Sequence, residues 1–169
     1  MISNYLTHSP EIDPTAWVHS SAVVCGQIVL GPRVSIWPTA VLRGDQGGIV
    51  LGADSNIQDG AVVHCTGGLS TTSIGERVTV GHRAVIHGCT VEDDCLIGMG
   101  SIVMDNAVIG RGSVVGAGAV VLANVVIPPD SLVLGSPASR TRETSDAHRN
   151  WIEHSWKTYV QLQQEHRTG

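Results

Sequence analysis

The chain has 169 residues, enough for one domain with a sizeable core, and a formal charge of −5 with no Lys or Arg cluster. That balance gives no electrostatic reason to expect nucleic acid or an anionic membrane as a partner. With no Phe, two Tyr and 20 Gly beside abundant Val, Ile and Ala, the composition suits small regular layers better than a core of aromatic rings.

The first residues, MISNYLTHSP, carry neither the basic region nor the apolar stretch of a secretory leader, and no apolar run is long enough to span a bilayer. An aliphatic residue then recurs every six positions, at Ile12, Val18, Val24, Leu30, Ile36 and Leu42. After one insertion come Leu51, Ile57 and Val63, and after a longer one Ile74, Val80 and Ile86. Val91 follows at a spacing of five, and the period then holds through Ile97, Val103, Ile109, Val115, Val121, Ile127 and Val133. Four positions after each start the residue is usually small, as at Ala22, Ala40, Ser55, Ala61, Ala84, Ser101, Ala107 and Ser113. The strands of a sandwich alternate with period two between irregular turns. A strict six, with one large and one small residue per unit, predicts one flat side of a triangular solenoid. The fold expected is therefore all-β, a left-handed parallel β-helix of hexapeptide repeats over residues 1–140.

Cys25, Cys65, Cys89 and Cys95 fall within or beside these repeats without CxxC spacing, so they read as reduced thiols packed as small apolar groups. Reduced thiols and the absence of a leader point to a cytoplasmic setting. Past Pro137 the period stops. From Thr144 to His166 the apolar residues Trp151, Ile152, Trp156, Tyr159, Val160 and Leu162 fall mainly three and four apart. That spacing predicts an amphipathic C-terminal α-helix within residues 141–169, N-capped by Ser145 and packed on the β-helix or on a neighbouring subunit.

Register converts the repeats into a map. Residues three hexads apart share a side, and the residue after each aliphatic faces outward, so Arg43, His64 and His87 form one outward column. Imidazoles on adjacent rungs, about 4.8 Å apart at the backbone, can converge on one metal ion. His82 belongs to the preceding side, stacked above Asp59, and should not reach that ion within its own chain. A threefold axis would bring the neighbour's His82 there, so the register argues for a homotrimer with interfacial sites. His8, His19, His148, His154 and His166 read as surface or hydrogen-bonding residues.

These residues resemble the gamma-class carbonic anhydrase family, including its short-loop relatives. The resemblance rests on Ile36-Trp37-Pro38, Leu42-Arg43-Gly44-Asp45, Asn56-Ile57-Gln58-Asp59-Gly60, Val63-His64, Val78-Thr79-Val80-Gly81-His82 and Ile86-His87-Gly88-Cys89, and extends to Gly98-Met99-Gly100 and Gly135-Ser136-Pro137. It implies that His64 and His87 of one subunit and His82 of the next bind zinc, or else iron or cobalt. It implies reversible hydration of carbon dioxide to bicarbonate by a metal-bound hydroxide at the subunit interface. Gln58 and Asn56 would orient the hydroxide or bicarbonate, and Arg43, Asp45 and Asp59 would form a charged network across the interface. Tyr159 would reach toward the site from the C-terminal helix.

Three positions depart from the family pattern. Gln46 stands where well-known active members carry a glutamate, and Thr158 where many short-loop relatives have asparagine. The insertion Cys65–Ser73 holds no acid, whereas those active members have a longer loop with a glutamate proton shuttle. The first and the last remove the usual route for proton export, which shifts that work to external buffer. Two other classes stay open: a metal-stabilised scaffold or regulatory subunit with little turnover, and a hexapeptide acyltransferase. The late coils Gly116–Val121 and Ile127-Pro128-Pro129 occur in acyltransferases too, but such an enzyme needs one catalytic base rather than three convergent histidines.

Overall fold

In the computed structural model, which describes residues 1–168, the chain winds into the left-handed parallel β-helix of hexapeptide-repeat proteins, about seven coils tall. The first face stacks Ile2–Ser3, the leading parts of Val23–Leu30 and Val41–Leu51, then Val62–His64, Val85–His87, Ile102–Val103 and Val120–Val121. The second face stacks Glu11–Ile12, the trailing parts of the same two long strands, Thr72–Ile74, Thr90–Val91, Val108–Ile109 and Val126–Ile127. The third runs from Trp17–Val18 through Ser35–Ile36, Asn56–Ile57, Thr79–Val80, Leu96–Ile97 and Val114–Val115 to Ser131–Gly135.

The hexad dictates this winding. Of the repeating aliphatics, all but Ile12 and Val18 on the lowest coil are buried, each contributing about 1.5–3 kcal/mol on leaving water. The third residue after the aliphatic takes a positive φ at every regular corner from Arg33 to Asp130, among them Thr39, Asp54, Gly60, Arg83, Asn106 and Asn124. This left-handed turn is reached most easily by Gly, Asn and Asp. The small fourth residue then tucks inside the corner. Where that residue is Ser, its hydroxyl bonds a backbone carbonyl, as Ser55 does to Gly75 (2.8 Å) and Ser101 to Gly98 (2.7 Å), so burial leaves no polar atom orphaned.

The solenoid ends where Ser131–Gly135 folds back antiparallel on Ala138–Glu143, carrying the last strand beyond residue 140. Helix α1 (Asp146–Thr168) follows, two residues longer at its C-terminus than the periodicity predicts. Ser145 stands at its N-cap, with its hydroxyl 3.4 Å from the His148 amide. The helix covers the third face of its own chain: Ile152 packs with Val114 and Leu132, and Trp156 lies against them. Its inward line runs Ile152, Trp156, Tyr159 and Gln163, so Trp151, expected on the apolar face, is turned out and 59% exposed. Gln163 is fully buried instead, donating with Arg167 to the Thr15 carbonyl of the lowest coils. Among the described residues no helix is long and apolar enough to cross a membrane.

Cys65, Cys89 and Cys95 are buried free thiols, and burial pushes the latter two up to about 12. These three should resist a disulfide reagent at pH 8 in the native protein and react at once in denaturant. Titration with such a reagent checks this; rapid native reaction of all four thiols would contradict the packing.

Candidate metal centre

His64 and His87 close the strands Val62–His64 and Val85–His87, which pair in parallel with the two histidines directly in register. The pairing sets their rings face to edge, with His64 Nδ1 3.2 Å from His87 Nε2. Each ring turns its other nitrogen to a carboxylate: His64 Nε2 lies 3.0 Å from Asp45 Oδ1, and His87 Nδ1 3.1 Å from Asp105 Oδ2. Burial works to raise both aspartates. For Asp45, hydrogen bonds from His64 and from Arg43, the latter 2.7 Å long, outweigh burial and hold the carboxyl below its usual range. For Asp105, Ser70 and His87 do the same with help from Thr66.

Ionised carboxylates only accept hydrogen bonds, so each fixes its histidine's proton on the nitrogen it faces. The two nitrogens that face one another then both present lone pairs, 3.2 Å apart. Such a pair repels unless a proton or a metal ion lies between. Two imidazole nitrogens bound to one tetrahedral zinc ion at about 2.0–2.1 Å stand about 3.3–3.4 Å apart. The donor pair therefore fits a metal, and its carboxylate backing is what histidine ligands ordinarily have.

His82 sits in the turn between the third and first faces. Its Nδ1 is 3.0 Å from Asp59 Oδ2 on the coil below, which leaves Nε2 for a ligand. With Gln58, Met99, Ala117, Trp151 and Tyr159 it lines a cleft of about 420 Å³ between the third face and α1. Gln58 donates to Asn56 Oδ1 (3.2 Å) and Asn56 to Thr79 Oγ1 (3.0 Å), so the buried asparagine fixes the glutamine behind the cleft wall. The Tyr159 ring meets Trp37 edge-on at 5.1 Å, and Trp37 is held by its Nε1–H to Ser35 at 2.9 Å. Burial, and then the charge of Asp59, raises the Tyr159 hydroxyl above its ordinary pKa, so it remains a neutral donor. His166 is exposed, as expected, and its ring lies beside Trp17 and Trp37 at 5.2 and 5.3 Å.

The residues singled out from the sequence thus fall into two groups in one chain. Arg43, Asp45, His64 and His87 lie at the end of the first face nearest the second. Asn56, Gln58, Asp59 and His82 lie on the third face and its corner, with Tyr159 facing them from α1. The strand Val85–His87 separates His82 from His87, and among the described residues no three His, Cys, Asp or Glu side chains of the chain converge on one point. Gln46 rests against Gly67 of the insertion. Asp105 escaped the sequence reading, although register could have found it: Val103 stacks on Ile86, so Asp105 lies one rung above Gly88.

The family model for bacterial transferase hexapeptide repeats (six repeats) matches residues 88–123. The chain is 41% identical over 170 residues to "Gamma carbonic anhydrase 2, mitochondrial" of Arabidopsis thaliana, an alignment covering 98% of this chain and 61% of that protein, less than two thirds of its length. It is 52% identical over 145 residues to "Probable carbonic anhydrase" of Methanocaldococcus jannaschii, with 86% of this chain and 91% of that one aligned. The chain belongs to the gamma-class carbonic anhydrase family. Among solved structures, a hexapeptide transferase family protein from Anaplasma phagocytophilum superposes on this family member with a TM-score of 0.93 at 35% identity, covering 97% of this chain and 96% of that one.

Proposed function

We propose that the protein is a metal-dependent carbonic anhydrase that interconverts carbon dioxide and bicarbonate at sites shared between the subunits of a homotrimer. The observation that carries this reading is the His64–His87 pair: two nitrogens aimed at each other 3.2 Å apart, with a carboxylate behind each ring. His64 and His87 of one subunit and His82 of the partner subunit would hold zinc, or iron or cobalt in its place. A metal ion with three neutral imidazoles lowers the pKa of a bound water to about 7, and so supplies a nucleophile at neutral pH.

The chain's own residues do the rest. Gln58, braced by Asn56, offers its amide beside His82 to orient the nucleophile and the bicarbonate formed from it. Tyr159 adds a neutral donor from the opposite wall. Met99 and Ala117 on the cleft lining give an apolar path suited to carbon dioxide. Arg43, paired with Asp45, keeps the carboxylate oriented on His64 and balances its charge.

The surface agrees with a threefold assembly. Helix α1 covers the third face, whereas the outward side chains of the first include the partly exposed Val62, Ile102, Met104 and Leu122. Met104 and Leu122 continue the His64–His87 column upward and Val62 and Ile102 flank it, where a partner's His82 corner must dock to complete three ligands.

Protein reconstituted anaerobically with zinc, iron or cobalt is expected to hydrate carbon dioxide at a rate that rises with buffer concentration, because neither Gln46 nor the acid-free insertion can export the proton. Gln58→Ala should keep its metal and lose about 10²-fold or more in rate, as loss of one orienting group does elsewhere. Stopped-flow hydration with metal analysis measures both. No hydration with any of the three metals would leave a scaffold.

Subunit sharing has its own test. The double variant His64→Ala/His87→Ala and the variant His82→Ala should each fail to hold metal tightly. Unfolded together in equal amounts and refolded, they should give mixed forms in about three-quarters of trimers. One interface in each mixed ring joins an intact pair to an intact His82, so about a quarter of all sites should recover metal. Mixed trimers confirmed by mass but holding no metal would refute the shared site.

A further inference from the structure

The insertion Cys65–Ser73 interrupts the repeat next to His64 and carries no acid, yet it is tightly built into the centre. Thr66 and Ser70 close it as a turn, with the Ser70 and Leu69 amides donating to the Thr66 carbonyl and the Thr66 amide to Ser70 Oγ. From this turn both hydroxyls reach Asp105, Ser70 Oγ donating to Oδ1 and Thr66 Oγ1 to Oδ2 (3.3 Å). Asp105 Oδ2 also accepts from His87 Nδ1. The carboxylate thus gathers three donors, two from the insertion and one from His87, with its side chain only 17% exposed.

Two further features show that the insertion serves the histidines. Gly88, φ +60°, follows His87; a Cβ there would come within 2.1 Å of Ser70 Oγ and 2.2 Å of Asp105 Oδ1. Only a glycine leaves room for the serine and the aspartate to meet. As the insertion returns to the coil, buried Thr72 donates to the His64 carbonyl at 2.7 Å and accepts from the Gly88 amide at 3.1 Å. The same segment therefore fastens the backbone beside both histidines.

We propose that Asp105 is a positioning residue that fixes the proton of His87 on Nδ1 and aims Nε2 at His64, and that Ser70 and Thr66 of the insertion hold Asp105 in that role. A carboxylate held by one hydroxyl on each oxygen is kept from swinging away from the imidazole. The ring is then kept in one tautomer and one orientation before any metal arrives. The acid-free insertion acts as a buckle on the centre where a longer, acidic loop would act as a proton carrier. This inference rests on the reading of His87 as a ligand.

The test uses the full-length assembled protein, with Co(II) as the metal. In the metal-free protein, ¹H–¹⁵N correlation of the imidazoles reports which His87 nitrogen carries the proton. Competition with a chelator reports Co(II) affinity, and the visible spectrum of bound Co(II) reports its geometry. Asp105→Asn should raise the Nε2–H tautomer of His87, weaken Co(II) by about 10–100-fold as loss of such a partner does elsewhere, and alter the visible bands. Ser70→Ala, which leaves the carboxylate in place, should move each readout in the same direction by a smaller amount, and it serves if Asp105→Asn fails to assemble. If both variants keep His87 protonated on Nδ1 and bind Co(II) within about twofold of wild type, well short of that loss, the positioning role is wrong. If His87→Ala binds Co(II) as tightly as wild type, the ligand assignment itself fails and takes the proposal with it.

Discussion

Every feature of the centre depends on the coil closing after three hexads, and closure depends on one residue per corner in the left-handed region. The turn is costly for most side chains, and the chain meets it with Gly, Asn or Asp at many corners and with Arg or Thr at others. Once the corners repeat, the rungs stack in register and their side chains form columns. Neighbouring positions in a column are about 4.8 Å apart along the axis. That is too close for two bulky outward groups of like charge, but it suits two imidazoles inclined toward a common point. The His64–His87 pair is thus a direct product of register, needing no special loop to bring the rings together.

Register alone does not decide which nitrogens face each other. That choice belongs to the carboxylates, one below the pair and one above. Asp45 takes the Nε2 side of His64 and Asp105 the Nδ1 side of His87, so the two rings present different nitrogens to the same space. Asp59 does the same for Nδ1 of His82 on the far corner. All three histidines therefore have a carboxylate partner on one nitrogen, and each turns its other nitrogen away from that partner. A cluster of histidines kept for packing would have no need of matched acids. In the proposed trimer, the two half-sites of one chain would complement those of a second copy docked on the apolar first face.

The solenoid was legible because its signal is redundant: twenty aliphatic starts and a small residue behind most of them leave little room for another fold. Register made His64, His87 and the separate position of His82 legible as well, because column membership follows from counting alone. The stacking of His82 on Asp59 also follows from counting, and the structure shows the pair in contact. Counting fails where the period breaks. Ser70, Thr66 and Thr72 reach the centre from an insertion whose path no repeat predicts, and the meaning of Asp105 depends on them. The burial of Gln163 and the exposure of Trp151 were hidden for a different reason. The apolar moment of a helix gives its average face, whereas the line of contact with the third face, through Ile152, Trp156 and Tyr159, carries Gln163 inward at the lowest coils.

The irregular segments themselves follow a physical rule. A periodic column offers one outward side chain per rung, all leaving the surface in nearly the same direction. A carboxylate on such a column can be met from above and below, but a second donor approaching from the side needs chain that does not belong to the coil. Both insertions in the repeat, after Leu42 and after Val63, fall at the corner between the first and second faces, on consecutive rungs beside the histidines. There the chain can leave the solenoid, supply hydroxyls from the side, and rejoin it without shifting any core residue: Ile49, Leu51 and Ile74 resume their places in the interior. The insertion can then change length and chemistry while the coil beneath it stays fixed. A proton-carrying acid and a Ser–Thr buckle become alternative uses of the same corner. On the reading proposed above, the buckle would hold the ligands more firmly and leave proton export to the solution.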